Sequence, residues 1–135
     1  MVVCIVVDDN NGMMFNNRRQ SQDKMLREDI LRDCVHKKLW INEYTEMQFI
    51  PYDNVNIVVD NEFLDKAEED DVCFVESNLL SAYQEKITKI VLYKWNRNYP
   101  ADFYFDVDLS DWKLELSTEF VGSSHDKITK EVWVR

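Results

Sequence analysis

Apolar and polar positions along this chain change spacing repeatedly, and each change predicts an element. Val2–Val7 is an unbroken apolar run rich in β-branched residues, the pattern of a strand covered on both faces. Asp8–Gly12 is turn chemistry, and a loop is predicted to continue through Asn16–Arg19 to Ser21. From Gln22 to His36 the spacing becomes helical. Leu26, Ile30, Leu31, Cys34 and Val35 form one face, with Lys24, Glu28 and Arg32 on the other as i,i+4 charge pairs. Leu39–Ile41 predicts a short buried strand, Asn42–Phe49 a brief helix and Asn56–Val59 another central strand.

The acidic run Asp60–Asp71 predicts a short exposed helix with Phe63, Leu64 and Ala67 turned inward. Val72–Val75 predicts a third parallel strand, Leu79–Glu85 a helix and Ile87–Lys94 a long strand. Strands near Asp102–Phe105, Lys113–Phe120 and Lys127–Val134 finish the chain. Strand–helix alternation followed by a strand-only end predicts an α/β sheet with an antiparallel finish. No internal repeat or low-complexity segment interrupts it, and residues 1–135 read as one domain.

Composition narrows the function classes. Hydrophobic residues make up 45% of the 135 and aromatics 13%, so the chain can bury a core. Only two glycines and two prolines occur, which argues against flexible linkers and Gly-rich phosphate loops. A net charge of −10 opposes wrapping of a nucleic-acid backbone, and no nucleic-acid partner is expected. Lys94–Tyr99 interleaves basic and aromatic residues in a way that suits single strands. The preferred reading is a strand end whose Trp95 and Tyr99 pack against the sheet. Cys4, Cys34 and Cys73 are scattered among apolar residues, as buried thiols are. The acidic run lacks the alternating oxygen ligands and central Gly of a calcium loop. His36 and His125 stand far apart and are expected at the surface, so no metal site is expected. Val2–Val7 is too short for a signal peptide and nothing approaches membrane-spanning length, which predicts a cytoplasmic protein with no membrane contact.

The stretch Lys89–Trp112, KIVLYKWNRNYPADFYFDVDLSDW, resembles the C-terminal third of the dihydrofolate reductase family. There an Asp-x-x-Phe-Pro segment precedes a Trp that starts the last hairpin. Val7-Asp8-Asp9-Asn10-Asn11-Gly12 is similar to the family's Val-Asp-x-x-x-Gly turn before the substrate loop. The resemblance covers nearly the whole chain. It implies a mostly parallel sheet with helices on both faces and an antiparallel C-terminal hairpin.

Its implications for chemistry are mixed. Asp23 stands where the family places the carboxylate that binds the pterin edge and relays a proton; as a plain helix-start residue it would only stabilise the helix N-terminus. Tyr93 stands where the family has a Thr paired with that carboxylate, and could donate a proton while filling pterin space. Arg18, Arg19 and Thr45 are candidate ligand-pocket residues; Arg18 and Arg19 could meet a phosphate or carboxylate just before a helix.

The departures concern the cofactor. Asn42-Glu43-Tyr44-Thr45 replaces the family's Gly-Arg-x-Thr, and Asn16–Ser21 lacks its Pro-Trp pair. The carboxylate-binding Arg is replaced by Asn54 or Val55. Glu76-Ser77 replaces a Gly-Gly pair that lets backbone approach the cofactor diphosphate. The expectation is a non-catalytic binding or interaction protein with no cofactor, its partner an unknown small molecule or protein. The alternative is a divergent NADPH-dependent reductase of a pterin or similar heterocycle. The chain also resembles small bacterial proteins labelled ribonuclease Z. That metal-dependent activity needs a His-x-His-x-Asp-His cluster, which two distant histidines do not supply.

Overall fold

The computed structural model describes residues 1–50, 52 and 56–135. The readings placed on Asn54 and Val55 lie outside the described residues. Strand β1 (Val2–Val7) runs parallel between β6 (Val72–Phe74) and β7 (Lys89–Lys94), and β4 (Lys38–Ile41) and β5 (Asn56–Val59) extend the sheet beyond β6. On the other side, β10 (Ile128–Val134) pairs antiparallel with β7, and β9 (Lys113–Phe120) antiparallel with β10. The order is β5-β4-β6-β1-β7-β10-β9. The mostly parallel sheet and the C-terminal hairpin are therefore as the sequence predicts.

Alternation along β1 divides the core in two. Val3, Ile5 and Val7 face a cluster with Phe63, Leu64, Ala67 and Leu80. Cys4 faces the opposite cluster, with Leu26, Ile30, Leu31 and Cys34 of the first helix and Tyr93 and Trp95 from β7 and its end. All three cysteines are buried and free.

Several predicted elements change in extent. Helix α1 spans Lys24–Asp33, not Gln22–His36. Asp23 caps its N-terminus, and the Cys34 N–H bonds back to Leu31 O, tightening the last turn. Val35 therefore lies past the helix and is 54% exposed, against the expectation that it shares the buried face. Helix α2 is Glu43–Phe49. The acidic helix shrinks to one turn, α3 (Phe63–Lys66), because Ala67 turns extended and four successive acids follow it. Phe63, Leu64 and Ala67 are nevertheless buried as expected. Ser81–Lys86 forms a 3-10 turn where an α-helix was predicted.

The predicted first loop contains structure of its own. β2 (Gly12–Phe15) and β3 (Arg18–Arg19) form a hairpin, with β8 (Phe103–Tyr104) on the other side of β2. Asn16 and Asn17 both take positive φ, 51° and 59°, the geometry of a two-residue hairpin turn. Two adjacent asparagines before Arg18-Arg19 were the available signal. Gly12 is needed for close approach: a Cβ there would lie 2.5 Å from the Ala101 Cβ. Among the described residues no helix is long and apolar enough to cross a membrane.

Candidate functional site

In an open parallel sheet, ligands bind beyond the carboxyl ends of the strands, where loops rather than ladders occupy the space. Here the ends of β1, β4, β6 and β7 deliver Asp8, Asn42, Val75-Glu76 and Trp95 to that place, beneath the β2–β3 hairpin and the start of α1.

Asp8 organises the hairpin. It is buried, and its Oδ1 accepts from the N–H groups of Asn10 (2.9 Å) and Gly12 (2.7 Å). Its Oδ2 accepts from Gln20 Nε2 at 2.9 Å. The Gln20 bond ties the residue after Arg19 to the end of β1.

Arg19 reaches Glu76 with two parallel bonds, Nε to Oε2 at 2.9 Å and a terminal guanidinium nitrogen to Oε1 at 3.1 Å. Thr45 Oγ donates to Glu76 Oε1 at 2.8 Å. The Arg19 guanidinium also lies over the Tyr44 ring, 4.5 Å from its centre, and the Tyr44 hydroxyl accepts from the Arg19 N–H at 2.7 Å. Burial works against the Arg19 charge, but the Glu76 hydrogen bonds outweigh it and raise the pKa above its ordinary value. Glu76 is 9% exposed and Arg19 21%, so the pair sits at the lip of the cleft. Arg19 and Thr45, predicted for a ligand pocket, thus meet a carboxylate of the chain itself. The Arg18 side chain points elsewhere. It is exposed, makes no hydrogen bond or ion pair among the described residues, and lines a shallow outer groove with Phe15, Asn16, Tyr99 and Pro100.

Asp23 lies deeper, 3% exposed. Its Oδ1 accepts from the N–H groups of Met25 (2.9 Å), Leu26 (3.3 Å) and Ser123 (3.0 Å). Its Oδ2 accepts from the Ser124 N–H (2.9 Å) and His125 Nδ1 (3.1 Å), with the Ser124 hydroxyl at 3.2 Å. A carboxylate offers about four lone-pair sites, so little capacity remains for a ligand. Burial raises the Asp23 pKa, but the donors of Ser123, Ser124, His125 and Leu26 together hold it well below the usual carboxylate range. The helix-start role and the candidate ligand role therefore fall on one side chain, and the structural bonds occupy it. A Cβ on Gly122 would collide with Asp23 Oδ2 and come within 2.9 Å of the His125 carbonyl oxygen, so only glycine lets the segment after β9 close over Asp23.

His125 corrects the sequence reading. It was expected at the surface, yet it is 4% exposed. It stacks on Trp95 with ring centres 4.2 Å apart, and its Nε2 meets the Tyr99 hydroxyl at 3.0 Å. Because the Asp23 carboxylate only accepts, Nδ1 carries a proton, which leaves Nε2 to face Tyr99. The basic-aromatic stretch Lys94–Tyr99 thus directs Trp95 into the core, and Trp95 is 4% exposed. His36 is exposed. Among the described residues no three His, Cys, Asp or Glu side chains cluster as metal ligands would.

Tyr93 is fully buried among the α1-side core residues and does not line the cleft beside Asp23. Its hydroxyl donates to Asp29 at 2.6 Å. Burial, with Cys4 and the Asp29 carboxylate beside it, holds its pKa well above the ordinary tyrosine value. It keeps its proton and turns it away from Asp23. Lys130 completes that network, 2.8 Å from Asp29 and 2.7 Å from Asp33.

The cleft walled by Arg19, Gln20, Asp23, Arg27, Gln48 and Glu76 encloses a cavity of about 20 Å³. That is room for one or two waters, whereas sites for drug-sized ligands run to roughly 300–1,000 Å³. Gln20 Oε1, Arg27 Nε and Gln48 Nε2 at its wall are buried without a partner among the described residues.

No family model and no curated protein sequence matches the chain. Solved structures do. The dihydrofolate reductase from Enterococcus faecalis, complexed with NADP(H) and RAB-propyl, matches with a TM-score of 0.68 over 100% of this chain and 96% of that one, at 13% identity. At so low an identity the likeness speaks for architecture and leaves activity open. Sheet order, the C-terminal hairpin and this full-length superposition agree: the chain has a dihydrofolate reductase-like α/β fold.

Proposed function

We propose that this chain is a non-catalytic binding or interaction protein of the cytoplasm, built on a dihydrofolate reductase-like scaffold whose interior cleft is closed by its own side chains. The observation that carries the reading is the Arg19–Glu76 pair. Glu76 directly follows Val75 at the carboxyl end of β6, where a dinucleotide's diphosphate would need exposed backbone N–H groups. The residues present do not fit such a group. A carboxylate there repels phosphate, and Arg19, the arginine that reaches it, is already bound bidentately to that carboxylate. No α-helix begins at this turn either, since Leu79 leads into a 3-10 turn.

Two further observations support it. Both oxygens of Asp23 are occupied by N–H donors, so the group best suited to relay a proton is engaged structurally. The remaining cavity of about 20 Å³ is too small for a pterin. Recognition is left to the outer groove at the exposed Arg18, beside Phe15, Tyr99 and Pro100. Its partner would be an anionic small molecule or protein segment with an apolar part.

The alternative, a divergent NADPH-dependent reductase with Asp23 as proton relay, is favoured by one observation: the similar Enterococcus faecalis enzyme was solved with NADP(H). Thermal unfolding with and without NADPH separates the two. A ligand at 100 times its dissociation constant adds about 2.7 kcal/mol to stability, several degrees for a chain of this size. The expected result is no change in Tm. A clear upward shift would overturn the proposal, and Asp23→Asn should then abolish turnover of a pterin substrate.

A further inference from the structure

We propose that the free edge of β9 pairs with β9 of a second copy of this chain, joining two sheets across a two-fold axis at Thr118. This inference is independent of the reading of the cleft. β9 ends the strand order, with β10 on one side and no strand on the other among the described residues. Strands average about 5–6 residues, and sheet edges are usually kept short or covered because their unpaired N–H and C=O groups template pairing. β9 has eight residues, and the first seven, Lys113–Glu119, are exposed. At the opposite edge β5 has four residues, three of them half-buried. Leu116 lies opposite the buried Val132, yet is itself 47% exposed.

The ladder geometry selects one register. Backbone groups along a strand point alternately to its two sides, so a free edge meets its own antiparallel copy symmetrically about a single residue. The β9–β10 register shifts where Val132 faces Leu116 and Trp133 faces Leu114, which leaves Glu115 as the extra residue of a bulge. Alternation breaks there, and a regular ladder is restricted to Leu116–Phe120. Centring on Thr118 uses that whole segment. Leu116 then faces the partner's Phe120 twice, Ser117 faces Glu119 twice, and Thr118 faces its own copy.

Apolar cross-strand pairs and Thr–Thr pairs are favourable, whereas like charges directly opposite are not. The Thr118 register sets no like charges opposite each other. The neighbouring register, centred on Ser117, runs off the regular ladder at the Glu115 bulge and leaves that carboxylate on the side of the other copy's Glu119. Glu119 keeps its own Lys127 partner at 3.1 Å, so the pairing strips no counter-ion from it. Phe120 is supported from behind by Tyr93, edge to face at 6.4 Å, which fixes its ring beside the Leu116 it would receive.

The test is the oligomeric state of the full chain by sedimentation velocity, joined to site-directed crosslinking. A concentration-dependent species of twice the 16.2 kDa chain mass is expected. Thr118→Lys places two ammonium groups opposite each other and should weaken dimerisation about tenfold or more. The position is exposed, so the fold should survive; unchanged circular dichroism checks this. Thr118→Cys should form an interchain disulfide under mild oxidation, since each Cys would be the other's directly opposite cross-strand neighbour, the closest approach two Cβ atoms make across a ladder. Ser117→Cys should crosslink far more slowly, because it faces Glu119 of the other copy. The three native cysteines are buried and do not interfere. A chain that stays monomeric at all attainable concentrations overturns the proposal. So does a dimer indifferent to Thr118→Lys, or one that crosslinks no faster at 118 than at 117.

Discussion

Two buried carboxylates stand beside the same cleft and are held in opposite ways. Asp23 is satisfied mostly by backbone N–H groups, from α1 and from residues 123–125. Glu76 is satisfied by one arginine and one hydroxyl. Fixed backbone donors cannot follow a departing carboxylate into water, so removing Asp23 strands them. Arg19 is 21% exposed and can hydrate if Glu76 leaves. The first cluster is a structural knot between the start of α1 and the segment after β9. The second is a releasable clasp between the hairpin and the end of β6.

The largest effect should come from Asp23→Asn. An amide has one acceptor oxygen and turns its NH2 toward groups that also donate, leaving several buried donors unpaired. The expected loss is roughly 2–4 kcal/mol of unfolding free energy, read by urea denaturation. A loss under 1 kcal/mol would show that water already shares those donors.

Acid should act through the same residue. The folded-state pKa of Asp23 is depressed, so at a given acidic pH the unfolded chain binds the proton more readily. Its contribution is therefore present above about pH 4, the unfolded carboxylate value, and is lost as pH falls below that toward the depressed folded value. Wild type should lose stability along this limb, and Asp23→Asn should show a shallower slope there. Parallel limbs would assign acid sensitivity to other carboxylates.

Glu76→Gln should cost less, about 1–2 kcal/mol, because the freed guanidinium reaches solvent. Paired with Arg19→Met in a double-mutant cycle, it should give a coupling of about 0.5–2 kcal/mol. A coupling near zero would mean that the clasp only fills space. Smallest of all is Arg18→Ala, expected to shift stability by less than about 0.5 kcal/mol, since its side chain is exposed and makes no ion pair among the described residues. A larger change in Tm would remove Arg18 from consideration as a surface recognition residue.

The strands of the main sheet, their order and a helix start near Asp23 were legible in the sequence, because each is written in local spacing, whereas β2 and β3 lay in a predicted loop. Val2–Val7 forms a strand, as its short length and β-branched content argue for an apolar run covered on both faces. Asp23 reads as a helix-start residue because an acid there suits the helix dipole, and the structure makes it the cap itself. Helix ends were less legible. Periodicity carries on through Cys34 and Val35, whereas the backbone tightens at Leu31–Cys34.

Only the tertiary structure decided what the site does with these side chains. Arg19 and Glu76 are 57 residues apart, and Asp23 and His125 are 102 apart. Such pairs leave no mark on local hydrophobic spacing, so His125 read as a surface residue and Arg19 as an open cation. Tyr93 illustrates the same limit: its place on β7 was evident, but the topology sends its hydroxyl to Asp29 on α1 rather than to Asp23. Short-range steric and burial preferences act within a few residues and fix the elements, while charge pairing is settled by which loops the sheet order brings to one edge.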